Sequence, residues 1–306
     1  MPMNTSIAYA RWIAALQSQV LIAEEVLREH LTFASHVSLS EKLAHLDRLK
    51  AWLDLFRPLD RSIVAELKQR YDVRFTYNSN AIEGNTLSLR ETALVLEQGI
   101  TIGGKSLKEH LEVIGHGQAI NYIESFSVAD AVITEWELRQ VHSLILRTID
   151  PETAGRFRLL DVRAAGTESV YLPHYQVDKL MADFVEWLNS QNAKALHPIV
   201  YAAEAHLRLV TVHPFQDGNG RTARLLMNLL LIRAGFLIGV IANEQRIDYI
   251  NAIVAAQTGE GGEALTHLVA NASQDSLIET LSVVSTAASS NGKGEGFFEH
   301  LSQFLS

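Results

Sequence analysis

The 306-residue chain contains no cysteine. That absence excludes disulfides, cysteine-held iron–sulfur clusters, cysteine-ligated zinc and a thiol nucleophile. Proline and glycine are sparse, at 6 and 18 residues, so little interrupts long helices. Basic charge is in deficit. With 26 Lys+Arg against 35 Asp+Glu the net charge is −9, which argues against broad electrostatic binding to nucleic acid or an anionic membrane. No basic flank precedes an apolar core in residues 1–24, so the N-terminus does not read as a signal peptide. The longest apolar stretch, residues 225–242, is broken by Asn228 and Arg233 and stopped at Gly235. A buried helix followed by a turn is expected there, not a membrane span. These readings point to the cytoplasm. What the chain does have is 47 % hydrophobic and 20 % charged residues, the balance of a globular protein long enough for one large domain or two small ones.

Helical spacing dominates. Residues 7–30 read as a first amphipathic helix. Three Ser/Thr-x-x-Glu capping boxes, Ser38–Glu41, Ser88–Glu91 and Thr134–Glu137, mark helix starts, and Leu43, Leu46, Leu49 and Leu53 follow the first at helical intervals. Pro58 ends that run. The spacing then predicts a helix over 62–71 and a short one over 78–83, stopped by Gly84. Further helices are expected over 88–98, 105–126, 134–148 and 176–188, after Pro198, after Gly220, from Glu244, and past the Gly259–Gly261–Gly262 turn. Residues 156–173 have a different texture: Val162, Val170 and Tyr171 around Gly166 predict a β-hairpin. Residues 285–296 read as a Ser/Ala/Gly linker, and the tail from Phe297 and Phe298 as a short docking helix. The expected fold is mainly α, with one small β-hairpin.

The chemistry concentrates in residues 213–224, His-Pro-Phe-Gln-Asp-Gly-Asn-Gly-Arg-Thr-Ala-Arg. Gly218 and Gly220, flanking Asn219, permit positive φ and an inward-turned set of backbone N–H groups, an anion nest opening onto a helix N-terminus. Arg221 and Arg224 lie in the first turn of that helix, where the dipole disfavours cations. Their spacing of three places both on one face, able to grip neighbouring phosphates once an anion offsets that repulsion. Asp217 can hold Mg²⁺ and His213 can accept a proton near neutral pH. Between Ala205 and Arg233 four arginines face one aspartate, a local +3 inside an acidic chain. A plain helix–turn–helix corner would explain any one of these residues. It does not explain a base, a metal ligand, a nest and paired arginines within twelve residues.

This stretch resembles, position by position, the signature His-x-Phe-x-Asp/Glu-Gly-Asn-Gly-Arg-x-x-Arg of the Fic family of protein adenylyltransferases, enzymes that move AMP from ATP to a protein hydroxyl. The resemblance implies that His213 deprotonates the target Ser, Thr or Tyr, Asp217 binds Mg²⁺, and Gly218, Asn219 and Gly220 cradle the α- and β-phosphates. Arg221 and Arg224 would hold the outer phosphates, and Phe215 would fix the loop. Ser79-Asn-Ala-Ile-Glu83-Gly84 is similar to the family's inhibitory motif, which implies that Glu83 pairs with Arg224 and obstructs the γ-phosphate. The predicted hairpin corresponds to the family's flap, which implies target-peptide registration by Asp161, Val162, Arg163, Tyr171 and Leu172. Asp248-Tyr249 resembles the segment against adenine, with Tyr249 equally readable as core. A nearby position usually occupied by Asn is Gln257 here. The organisation implied is an N-terminal helical extension over 1–75, a catalytic core over 76–270 with its inhibitory segment at 79–85, and a C-terminal helix, linker and tail over 271–306.

Other readings stay open at this point. Gly99-Ile-Thr-Ile-Gly-Gly104-Lys105-Ser106 satisfies the P-loop pattern, but a capped helix precedes it where a buried strand is required. Another nucleotide donor, removal of AMP, self-modification and a homodimer are compatible with the same motif. A helical regulatory scaffold with a silent nucleotide site is the non-enzymatic alternative. Membrane is not an expected partner, and neither is nucleic acid.

Overall fold

The computed structural model describes residues 5–18, 20–33, 37–127, 131–162, 171–290, 296–297 and 299–301. The first expected helix is two: α1 (Thr5–Ser18) and α2 (Val20–Leu31). Arg11 and Glu29, 18 residues apart, form an ion pair at 2.6 Å. In one straight helix they would lie about 27 Å apart, so the chain reverses between them. Neither proline nor glycine announces this turn. The Ser18 hydroxyl donates back to the carbonyls of Ala14 and Ala15, competing with the helical ladder, and Ala15, Ala23 and Val26 form a small buried cluster.

The helix α3 (Leu39–Asp54) opens on the Ser38–Glu41 capping box and buries Leu46, Leu49, Trp52 and Leu53. Next, α4 (Arg61–Ile82) is one continuous helix where two were expected, because nothing between Pro58 and Gly84 breaks the ladder. Its end is a Schellman closure: Gly84 sits at φ +99°, its N–H donates to the Ala81 carbonyl, and the Asn85 N–H donates to the Asn80 carbonyl.

The Ser88–Glu91 box opens α5 (Leu89–Gln98), closed by left-handed Gly99. A further box, Ser106–Glu109, opens α6 (Leu107–Ser127). This arrangement disposes of the P-loop pattern. A helix leads into Gly99, the Lys105 amine donates to the Thr86 carbonyl, and Glu109 already occupies the N-terminus of α6. Thr134 and Glu137 box the start of α7 (Glu135–Leu146). Beyond lie α8 (Val177–Asn189), α9 (Gln191–Lys194), α10 (Pro198–Val212), α11 (Asn219–Arg233), α12 (Arg246–Gln257) and α13 (Glu263–Ser290). The expected hairpin has no strand in its described portions, 156–162 and 171–173; Arg163, Gly166 and Val170 lie outside the described residues. The linker reading of 285–296 is corrected for 285–290. Those residues continue α13, with Ser285 and Thr286 donating to the Ser282 carbonyl.

The chain divides into two units, Met1–Gln69 with Ala270–Ser306, and Arg70–Val269. In the first, Phe297 is fully buried, stacked on Trp12 at 5.8 Å and tilted against Trp52 at 4.9 Å. The tail therefore docks through Phe297 as expected, while Phe298 is outside the described residues. Arg28 pairs with Asp275 at 2.5 Å, and the Lys42 amine donates to Asn271.

The second unit is organised around α11. Every residue from 221 to 231 is buried, as befits a helix apolar on most sides and enclosed by neighbours. It packs against α6, α7 and α10. Gly235 at φ +79° ends it in the expected turn. Among the described residues no helix is long and apolar enough to cross a membrane.

Candidate active site

The corner between α10 and α11 carries the motif. His213 is the C-cap of α10 and adopts φ +50°, ψ +57°, the non-glycine residue with positive φ among those described. A left-handed histidine costs on the order of 1–3 kcal/mol and persists only where its surroundings enforce it. Its Nδ1 lies 3.3 Å from the Val210 carbonyl. A carbonyl only accepts, so Nδ1 carries the proton and Nε2 keeps its lone pair. Burial pushes this imidazole down to about 4, with the charge of Arg158 adding to the effect against the Val210 carbonyl, Glu83 and Asp217. His213 is thus neutral at physiological pH, ready to accept a proton at Nε2. The Tyr171 ring stacks on it at 3.8 Å.

The loop that follows is fixed from below. Phe215 is fully buried, as expected, and stacks on His142 of α7 at 3.7 Å. Nε2 of His142 donates to the Asp217 carbonyl at 2.9 Å, while its Nδ1 accepts the Gly155 N–H. Burial holds His142 at about 4, so it remains a neutral strut. The Asn219 side chain closes the loop on itself: Oδ1 accepts the Phe215 N–H and Nδ2 donates to the Phe215 carbonyl. Its contribution to any anion is left to its backbone. Gly218 takes the expected positive φ, +77°. Gly220 does not; it lies in the first turn of α11, and its lack of a side chain serves a different end. A Cβ there would collide with the Glu83 carboxylate.

That carboxylate belongs to the second half of the site. Arg224 is 1 % exposed. Its Nη2 donates to Glu83 Oε1 at 2.7 Å and to the Ser79 carbonyl at 2.8 Å, its Nε to the Ser79 hydroxyl at 3.0 Å, and its Nη1 to the Tyr249 hydroxyl at 3.1 Å. The pairing of Glu83 with Arg224 is therefore present. Tyr249 in turn donates to His206 Nε2 at 2.8 Å, an imidazole that burial lowers to about 3. Arg221 is equally buried, with Nη2 at 3.3 Å from Asp217 and Nη1 at 3.5 Å from Glu112 of α6. Its Nε and Nη1 make no hydrogen bond and are buried, and Arg221, unlike Arg224, is not among the residues that line the cleft.

His213, Asp217, Gly218, Asn219, Gly220, Arg224, Tyr249 and Glu83 line one cleft of about 330 Å³. Ile250, Ile253 and Val254, successive positions on one face of α12, give it an apolar shelf, and Gln257 borders it. Of the proposed flap residues, Tyr171 lines the cleft over His213 and the Asp161 carboxylate accepts from the His174 N–H at 2.7 Å. Val162 is half-buried and Leu172 exposed; Arg163 is outside the described residues. His142, His206 and Glu112 escape a reading of the sequence, because their roles depend on contacts between separate helices. The one local signal is that His142 and His206 fall on the apolar faces of α7 and α10.

A neutral histidine thus stands beside a glycine turn and a helix start that carries two buried arginines. Comparison with known proteins supplies the class. Residues 132–231 match the Fic/DOC family profile. The protein adenylyltransferase Fic of Drosophila willistoni is 38 % identical over 221 residues, covering 72 % of this chain and 43 % of the fly protein. Its Drosophila melanogaster counterpart is 34 % identical over 274 residues, covering 82 % and 54 %. The chain thus spans about half the length of the curated relatives it matches. Caenorhabditis elegans Fic-1, residues 134–508, superposes with a TM-score of 0.73 at 30 % identity, covering 94 % of this chain and 90 % of that one. A Fic-domain signaling protein from Bacteroides thetaiotaomicron gives a TM-score of 0.67 at 28 % identity, with coverages of 81 % and 97 %. The chain belongs to the Fic family.

Proposed function

We propose that this chain transfers AMP from ATP to the hydroxyl of a Ser, Thr or Tyr on a protein target, releasing pyrophosphate, and that Glu83 restrains the reaction. The observation that carries the proposal is a neutral His213 with a free Nε2 in the same cleft as the Gly218–Gly220 turn and Arg224. The names of the relatives support it.

The acceptor oxygen attacks the α-phosphorus while its proton passes to His213 Nε2. The bond from the α-phosphorus to the bridging oxygen breaks, and pyrophosphate departs in line. The turn and the start of α11 orient the phosphates, with Arg221 and Arg224 countering their charge. The α12 shelf of Ile250, Ile253 and Val254 suits the face of adenine. Tyr171, stacked on His213, borders the place where the acceptor hydroxyl must sit.

Asp217 would hold Mg²⁺. Its side chain is 58 % exposed at the mouth of the site. Burial raises its pKa, but the charge of Arg221 and the Gly218 N–H outweigh this and keep it below the ordinary value, hence ionised. Mg²⁺ binds through one or two carboxylates, water and substrate phosphates. When bound, Mg²⁺ supplies charge neutralisation on the phosphates.

The Glu83 carboxylate takes the guanidinium edge that a terminal phosphate would use. The test is transfer of label from α-labelled ATP to lysate proteins by the natural chain and by Glu83→Gly, with γ-labelled ATP as control. Label from the α-position alone, stronger in the variant, supports the proposal. Release of γ-phosphate without labelled protein refutes it. A second reading, removal of AMP from a modified protein, is favoured by the Glu83 carboxylate facing the cleft, where it could orient water. Loss of label from a premodified target, abolished by Glu83→Gly, would establish it.

A further inference from the structure

Arg158 lies outside the sequence motif and outside the cleft lining, yet it is 4 % exposed and carries a full charge. Its Nε donates to the His213 carbonyl at 2.8 Å, its Nη1 to the Leu160 carbonyl at 3.1 Å and its Nη2 to the Leu172 carbonyl at 2.5 Å. Its own backbone N–H donates to the Pro214 carbonyl at 2.9 Å. One residue therefore holds two successive carbonyls of the motif loop together with the carbonyls of Leu160 and Leu172. Asp161, at 3.8 Å, is its carboxylate neighbour.

A buried guanidinium is stable only when its donors are used. Here all three nitrogens are directed at main-chain oxygens that belong to different parts of the chain. The His213 carbonyl is the one whose direction is set by the left-handed backbone of the base. We propose that Arg158 is a positioning residue: its planar fork enforces the left-handed conformation of His213 and keeps the base in register with the backbone at Leu160 and Leu172. Lysine keeps the charge but offers a single point, and cannot span three carbonyls set around a fork. The inference rests on the AMP-transfer reading for its kinetic consequence, but not for its conformational one.

The test compares Arg158→Lys and Arg158→Gln in the Glu83→Gly background. With α-labelled ATP and lysate proteins as acceptor, both variants lower the rate at saturating ATP by about tenfold to a hundredfold, the effect of a misplaced base. The ATP concentration giving half the rate, and calorimetric ATP affinity, stay within about twofold of the parent, since no Arg158 donor faces the nucleotide. In nitrogen NMR the His213 ring of the parent shows the single Nδ1–H tautomer, and both variants show a mixture. A lysine variant that matches the parent in rate and tautomer overturns the proposal, because charge or packing alone would then suffice. A fall in ATP affinity that accounts for the lost rate overturns it as well. If the parent labels nothing, the AMP-transfer reading fails, and the tautomer measurement by itself decides the role of Arg158.

Discussion

The two walls of the cleft handle burial in opposite ways. On the wall formed by the end of α10 and the motif loop, burial removes charge: His213 and His142 are both held near 4 and stand neutral. On the wall formed by the end of α4 with α11 and α12, burial keeps charge and pairs it, Glu83 with Arg224. The difference is chemical. An imidazole can shed its proton to escape desolvation, whereas a guanidinium cannot and must find acceptors. The proposed base is therefore competent without a partner, and the proposed phosphate wall is already engaged by an internal anion.

The largest effect comes from breaking the first wall. His213→Ala in the Glu83→Gly background is expected to lower α-label transfer by about 10²- to 10⁴-fold, the worth of a positioned base. Breaking the second wall works in the other direction. Glu83→Gly removes one charge-assisted hydrogen bond worth about 1.5–3 kcal/mol, so label is expected to rise by about ten- to a hundredfold.

Acidification tests the neutral histidines in and behind the cleft together. His213, His142 and His206 have folded values of about 4, 4 and 3 against an ordinary 6.5. Below 6.5 the unfolded chain takes up protons that the native state refuses until much lower pH. Stability from these histidines is present above 6.5 and drains away as pH falls toward 4. The thermal midpoint should accordingly drop between pH 7 and pH 5, and a melt that is level over that range contradicts the neutral assignment.

Smaller changes sharpen the second wall. Tyr249→Phe strips a partner from both Arg224 Nη1 and His206 Nε2. A loss of about 1–3 kcal/mol in urea unfolding is expected. Ser79→Ala removes one acceptor from Arg224 but leaves the Ser79 carbonyl in place. It should cost about 1 kcal/mol or less in the same assay.

How much of this was legible depended on whether the determinant was local. The boxes at Ser38, Ser88 and Thr134 are contained in four residues each, and all three are present as read. The motif of residues 213–224 was equally legible, because a loop and the helix it opens lie consecutively in the chain. The pairing of Glu83 with Arg224, 141 residues apart, came through resemblance and not spacing. The break between α1 and α2 carried no glycine or proline to mark it. The junction over 71–78 was read as a break although nothing there interrupts the ladder. Residues 285–290 looked like a linker because Ser and Ala are common there, but hydroxyls that bond back to helix carbonyls let α13 continue. From sequence alone Gly220 offers positive φ, whereas in the fold its missing Cβ leaves room for the Glu83 carboxylate. Composition reveals the residue type; packing decides which property of it is used.

The Schellman closure at Gly84 fixes Glu83 to the last turn of α4. A carboxylate attached in this way competes as an intramolecular ligand, at an effective concentration on the order of millimolar or above. It cannot be diluted or washed out. On the proposed restraint, an anion arriving from solution must match a local concentration written into the chain, so occupancy of Arg224 would become a ratio between one variable and one constant. Moving the turn by a residue would reset the threshold without altering a single atom of the motif.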